Sequence, residues 1–218
     1  MFFIWKKLRM ELGEIRCFQH CDRKQNILCF IVPIICPLCG QDLTQSRLRI
    51  PPYIIESPFT EADITQCSLV IKPTIGHFLY DFSNNSNLHI GLTDSSGNVY
   101  EFDERGVTVG DKTWTHCLSI KILDEHEQLE NKWDHSLEQF ANEKLWKKEC
   151  YDENSQNCFD FVLHFLQCFE LDRQYSCLVD KSVFCEKMIL PATRRAGKYI
   201  TLYKQIEESQ VVIQNAGQ

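Results

Sequence analysis

The stretch YDENSQNC, residues 151–158, ends in a cysteine that directly precedes the apolar run FDFVLHFLQCF, residues 159–169. The apolar run predicts a largely buried helix. Cys158 would then lie at the helix N-terminus, where free backbone N–H groups and the positive end of the helix dipole favour a thiolate over a thiol. The same N–H groups are suited to hold a developing oxyanion. The stretch therefore indicates Cys158 as a candidate nucleophile.

A matching general base lies earlier in the chain, where His89 stands within LHIGL, residues 88–92. Apolar patterning predicts four strands, at residues 67–72, 88–93, 99–102 and 114–122, and the Asp, Asn and Gly of residues 94–98 predict a hairpin turn. Helical spacing predicts helices at residues 124–146, 159–169, 182–189 and 193–207, with Pro191 as a break between the last two. The fold class expected is α+β, an antiparallel sheet packed on helices.

Length, composition and charge limit the possible functions. The chain has 218 residues, 44% of them hydrophobic, and it can bury a core as one domain with a small appendage. A formal charge of −7 argues against nucleic-acid and anionic-membrane partners. No apolar run reaches the roughly 18 residues needed to span a bilayer, and the opening MFFIW precedes its lysines, the reverse of a secretory signal. We therefore expect a cytoplasmic or nuclear protein.

The chain contains twelve cysteines, and disulfides are rare in such a reducing compartment. The clearest metal pattern is CPLCG, residues 36–40, where Cys36 and Cys39 are spaced like a zinc knuckle and Pro and Gly shape its turn. The alternative interpretation is that these are reduced thiols without a metal.

A second pair of metal ligands must come from Cys17, His20 and Cys21. With the apolar, strand-like segment 26–35 between the pairs, the arrangement resembles a zinc ribbon. The expected set is Cys36 and Cys39 with Cys21 and His20, and Cys17 in place of His20 is the alternative. A structural zinc would stabilise a region too small to form its own core.

These patterns divide the chain into five segments. Residues 1–16 form a weakly ordered N-terminus, and residues 17–43 form the zinc-knuckle-like segment. Residues 44–66, which carry three prolines, are a connector. The main domain spans residues 67–208, and residues 209–218 are a flexible tail.

The motifs LHIGL…NVYEF…RGV and Y-D-x4-N-C-F-x2-F, within residues 67–169, resemble those of the permuted papain-like thiol hydrolases. The PPPDE group of deSUMOylating isopeptidases is most similar, and the lecithin retinol acyltransferases are more distant. The resemblance implies a circularly permuted papain-like core with Cys158 as the nucleophile and His89 as the general base. Asn157 matches the family's Asn-Cys step at the entry to the helix.

The chain departs from these families at two positions. Glu101 stands where the acyltransferases carry a second histidine, and it either orients His89 or is solvated. Of the glycine-rich stretch that follows the hairpin in PPPDE proteins, only Gly106 remains.

Two functions follow from these patterns. The first, which we favour slightly, is a catalytically silent papain-like scaffold that binds a protein partner. The second is a cysteine isopeptidase or thiol hydrolase that acts on ubiquitin-like conjugates or acyl substrates through Cys158 and His89. The resemblance to isopeptidases implies that the protein partner is ubiquitin-like.

Overall fold

The structure, a computed structural model, describes residues 13–83, 85–123, 127–173 and 175–217. It confirms the α+β class, since antiparallel sheets are packed with helices. The chain forms two compact units, one from Met1–Ser57 with Lys198–Gln218 and the other from Pro58–Gly197. Most of the predicted N-terminal segment 1–16 lies outside the described residues.

The first unit contains a four-stranded antiparallel sheet in the order β3-β1-β2-β9. Its strands are β1 (Arg16–Gln19), β2 (Gln25–Cys29), β3 (Ile50–Ile54) and β9 (Val211–Asn215). Its small core is formed by five buried residues, Phe18, Ile27, Cys29, Cys36 and Leu43. Of these four strands, only β2 falls within a segment predicted to be strand-like, residues 26–35.

The predicted connector, residues 44–66, contains strand β3 and is therefore corrected. Pro51 and Pro52 cannot donate backbone hydrogen bonds, which argues against a central strand. β3 tolerates them because it is an edge strand whose register against β1 shifts between Cys17 and Gln19.

The predicted flexible tail, residues 209–218, is corrected in the same way. β9 pairs along its whole length with β2, from Val211 opposite Cys29 to Asn215 opposite Gln25. The β-branched run VVI at residues 211–213 favours a strand, but its partner strand lies almost 190 residues earlier in the chain, so the local sequence does not show the pairing.

The second unit is built on a five-stranded antiparallel sheet in the order β7-β6-β5-β4-β8. The strands are β4 (Ser68–Pro73), β5 (Leu88–Thr93), β6 (Val99–Asp103), β7 (Gly106–Val109) and β8 (Leu118–Lys121). The hairpin turn predicted between β5 and β6 is confirmed, because the Asp94 N–H donates to the Asn98 carbonyl at 3.0 Å. This hairpin brings His89 and Glu101 onto neighbouring strands.

Five α-helices accompany the sheets within the described residues: α1 (Phe78–Asp81), α2 (Glu127–Ala141), α3 (Cys158–Cys168), α4 (Lys181–Phe184) and α5 (Leu190–Ser209). α2 is shorter than predicted, since 3₁₀ turns follow it, and residues 124–126 lie outside the described part. None of the described helices has both the length and the apolar composition needed to cross a bilayer.

Helix α3 is held against the sheet by aromatic side chains. The Phe161 ring lies 6.2 Å from Phe102 on β6 and 5.2 Å from Trp146. One turn further, Phe165 meets Trp133 of α2 edge-on at 4.8 Å. Buried aromatic pairs of this kind add specific geometry to hydrophobic burial. They therefore fix where the N-terminus of α3, and with it Cys158, meets the sheet.

Pro191 does not break the helix as predicted. The chain is helical from Lys181 to Ser209, because a π-helical turn at Cys185–Ile189 joins α4 to α5. Pro191 is the second residue of α5 and lies inside this continuous helix, where a proline lacks the N–H of a normal helical hydrogen bond and its ring crowds the preceding turn. The wider π turn, in which the Leu190 N–H reaches the Cys185 carbonyl, accommodates the proline ring.

Candidate functional site

Helix α3 begins at Cys158 because two neighbouring side chains cap it. The Asn157 Oδ1 accepts a hydrogen bond from the Phe159 N–H at 3.0 Å, and the Asp160 Oδ2 accepts one from the Asn157 N–H at 2.9 Å. This reciprocal capping box satisfies donors that a helix start otherwise leaves free. Cys158 is thereby the first helical residue, and its side chain is 5% exposed.

His89 lies near the start of β5, next to strand β6. The register pairs Gly91 with Glu101, so His89 and Glu101 are diagonal neighbours on one face of the sheet. Gly91 has no side chain to separate β5 from β6 at this point, where a Cβ would come within 2.8 Å of the Tyr100 carbonyl oxygen. The His89 Nε2 lies 2.8 Å from the Glu101 Oε2. Glu101 is 1% exposed, so it contacts the imidazole and is not solvated.

The thiol of Cys158 is the second group that acts on the His89 ring, since hydrogen bonding and charge from it raise the pKa of the imidazole. Because Glu101 occupies Nε2, Nδ1 is the nitrogen left to serve the thiol. Burial by itself would lower the pKa of His89, but hydrogen bonds and charges from Cys158 and Glu101 outweigh it and raise the pKa to about 9. The structure thus brings together the two residues that the sequence singled out, and it places the Glu101 carboxylate against the same imidazole.

A lysine and a tryptophan flank the buried carboxylate. Lys72 Nζ lies 3.9 Å from the Glu101 Oε2, 4.3 Å above the Trp114 ring, and 2.9 Å from the Thr113 Oγ1. The Trp114 ring centroid is 5.7 Å from that of His89. Sequence analysis missed Lys72, although it stands directly opposite His89 in the pairing of β4 with β5. Only the register, which the sequence does not show, reveals that proximity.

The raised pKa of His89 predicts a pH-dependent contribution to stability. A histidine whose folded pKa is about 9, against about 6.5 when unfolded, stabilises the fold fully below pH 6.5 and loses that contribution as the pH rises through 9. We therefore expect the difference in unfolding free energy between wild type and His89→Asn to shrink between pH 6.5 and pH 9.5. Urea titrations across that range measure it, and a constant difference would contradict the assignment.

The first unit carries a cluster of potential metal ligands. His20 and Cys21 follow β1, and Cys36 and Cys39 stand on a tight turn further along the chain. The turn is closed by the Gly40 N–H donating to the Cys36 carbonyl at 2.9 Å, and Gly40 has a φ of +74°, which favours glycine. The ligand atoms of all four residues lie within 4.8 Å of one another.

The spacing within this cluster suits a tetrahedral ion. Usual zinc bond lengths place two sulfurs about 3.8 Å apart, and a sulfur and a nitrogen about 3.5 Å apart. The Cys39 Sγ lies 3.4 Å from the His20 Nδ1. Cys17, the alternative to His20, is not in the cluster among the described residues; it is buried on β1, opposite Tyr53 of β3. The structure therefore assembles the four residues that the sequence had selected, close enough to bind a metal.

Two family models together match most of the chain. The model described as DUF4796 C-terminal matches residues 52–206, and the model described as DUF4796 N-terminal matches residues 15–43. The chain belongs to the DUF4796 family. The N-terminal match contains all four residues of the metal-ligand cluster, and the C-terminal match contains Cys158, His89 and Glu101.

A human relative supports the DUF4796 assignment. The MKRN2 opposite strand protein of Homo sapiens is 37% identical over 192 residues, covering 88% of this chain and 85% of its own length. Two sequence segments, HC…CPLCG before the main domain and TRRAGKYITLYK at residues 193–204, indicate a resemblance to makorin-2 opposite strand protein, and the match confirms it. No solved structure matches the chain significantly.

Proposed function

We propose that this DUF4796 chain is a thiol hydrolase with a circularly permuted papain-like core, in which Cys158, His89 and Glu101 form a catalytic triad. One observation carries the proposal. A single imidazole has the Glu101 carboxylate 2.8 Å from Nε2, and the Cys158 thiol lies near enough to raise the pKa of the same ring. A nucleophile, a base and a group that orients the base are the minimal parts of nucleophilic acyl transfer.

The proposed reaction follows from the positions of these atoms. The Cys158 sulfur attacks the carbonyl carbon of an amide or thioester, and the proton held by His89 passes to the leaving amine or thiol. Water then attacks the resulting thioester, giving a proton to His89 and returning the cysteine. The backbone N–H of Cys158, which is not one of the donors bound in the capping box, is suited to stabilise the oxyanion.

The experiment that tests this function is covalent labelling. We expect a ubiquitin-like protein with a C-terminal electrophile, or a small acyl electrophile, to label wild type and Cys168→Ala but not Cys158→Ala. Cys168 is a matched control, since it is an exposed cysteine at the other end of the same helix. Mass spectrometry of the intact protein measures the adduct. Equal labelling of wild type and Cys158→Ala would refute the triad.

A silent interaction scaffold is the second candidate, and the burial of Cys158 favours it. Only 5% of this residue is exposed. A cavity of about 510 Å³ in the same unit is lined by other residues, among them Tyr100, Arg105 and Trp146. If neither probe labels wild type while a protein partner is retained by Cys158→Ala, the scaffold function is the correct one.

We also propose that His20, Cys21, Cys36 and Cys39 bind a structural zinc ion. Support comes from the donor set, three thiols and one imidazole, and from a spacing that suits tetrahedral coordination. Cys36 belongs at the same time to the small core of the first unit. The ion would therefore stabilise the packing of that core, and no step of the proposed reaction involves it.

A further inference from the structure

A lysine outside the proposed triad contacts both residues that cap the nucleophile's helix. Lys181 is the first residue of α4, and its Nζ lies 2.7 Å from the Asp160 Oδ2 and 3.2 Å from the Asn157 Oδ1. Asn157 precedes Cys158 and Asp160 follows it by two residues. One ammonium group therefore holds the segment that carries the thiol from both sides.

The capping box is complete without this lysine. The side chains of Asn157 and Asp160 already receive hydrogen bonds from the backbone N–H groups of Phe159 and Asn157. A cation near a helix N-terminus is unfavourable with respect to the helix dipole, so the fold does not gain from Lys181 through the dipole. The Lys181 side chain is about one-third exposed, which leaves its charge only partly screened by water.

The charge of Lys181 acts in the same neighbourhood as the Cys158 sulfur. The pKa of Cys185, one helical turn after Lys181, is affected by both Lys181 and Cys158. Burial raises the pKa of the Cys185 thiol, Lys181 lowers it, and Cys158 raises it. Other titratable and charged groups also act on this neighbourhood. They are His89 on β5, Tyr151 before α3, Asp160 on α3 and Cys185 after α4.

We propose that Lys181 is a positioning residue for the nucleophile, which clamps the Asn157–Asp160 cap and favours the thiolate of Cys158 by its positive charge. The inference rests on the proposed function, in that it takes Cys158 to be the reacting group. Lys181 is not a member of the proposed triad. It acts through the cap and through its charge.

The test separates the charge of Lys181 from its hydrogen bonds. Lys181→Gln keeps a donor for the cap and removes the charge, whereas Lys181→Arg keeps both. In the full chain, the pH dependence of iodoacetamide alkylation is followed on the peptide that contains Cys158. We expect the midpoint for Lys181→Gln to move to higher pH, with alkylation at pH 7 about three- to tenfold slower, and we expect Lys181→Arg to restore the wild-type profile.

Two results would overturn the inference: an unchanged midpoint in Lys181→Gln, or equal shifts in the Gln and Arg variants. Thermal unfolding of both variants identifies any loss of folding. Failure of the proposed function would give a different result, because the electrophilic probes would then not label wild type. The alkylation midpoints of wild type and Lys181→Gln would still be measurable in that case. Every thiol has such a midpoint, so the two failures can be told apart.

Discussion

Replacing His89 with asparagine is expected to slow the acylation of Cys158 by about 100- to 10,000-fold, the range that general acid–base catalysis usually supplies. The asparagine can still hydrogen-bond to the Glu101 carboxylate, but it cannot take the proton from the thiol or return it to the leaving group. Single-turnover reaction with an activated thioester, followed by intact mass, measures the acyl-enzyme directly.

Two further variants show whether this loss is specific to the base. His164→Asn is a matched control, since His164 lies on the same helix as Cys158 but packs against the Trp146 ring, 5.7 Å away. It should acylate at the wild-type rate. The acylation rate of Glu101→Gln should lie between the rates of His89→Asn and His164→Asn, because glutamine keeps the shape of the orienting group and loses its charge. A loss in His164→Asn as large as that in His89→Asn would refute a catalytic role for His89.

Removing the proposed zinc ion is expected to destabilise the first unit by about 4 kcal/mol, the contribution of a ligand present at about a thousand times its Kd. Cys36→Ser should produce this loss together with a loss of bound metal, because the residue is both a ligand of the cluster and part of the small core. Elemental analysis of the purified protein and urea unfolding in the presence and absence of a chelator measure the two effects.

Cys17→Ser provides the matched control for this experiment. Cys17 is as buried as Cys36, at 1% exposure, but it lies outside the cluster of ligands. It should lose some packing energy and keep the metal. If Cys17→Ser released the metal and His20→Ala retained it, the alternative ligand set considered from the sequence would be correct. If wild type purified without metal and ignored the chelator, the site would not be a zinc site.

Local patterns predicted the elements around the proposed triad well. The bounds of β5 agree with the prediction, the turn after it is a hairpin, and α3 begins one residue before the predicted start. These elements have short-range causes: apolar periodicity, turn-forming residues and a capping side chain next to the helix. His89 and Cys158 could be selected for the same reason, because His89 lies in a predicted strand and Cys158 lies at the predicted start of a helix.

Elements with distant partners could not be predicted in this way. β3 and β9 pair with strands that lie elsewhere in the chain, and β3 also contains two prolines. The continuous helix through Pro191 depends on a π turn that shifts the hydrogen-bond partners. In each case the stabilising contacts are made with residues outside the short stretch of sequence from which a local pattern is read.

The sequence by itself indicated the α+β class, the resemblance to makorin-2 opposite strand protein, Cys158 and His89 as candidates, and the four candidate metal ligands, since these depend on residue type and spacing. Only the tertiary structure decided that Glu101 is buried against His89, that His20 and not Cys17 joins the cluster, and that Lys181 reaches the cap of α3. The physical reason is that hydrogen bonds and ion pairs act over about 3–4 Å. Which side chains come that close is set by strand register and helix packing, and neither is encoded at any single position.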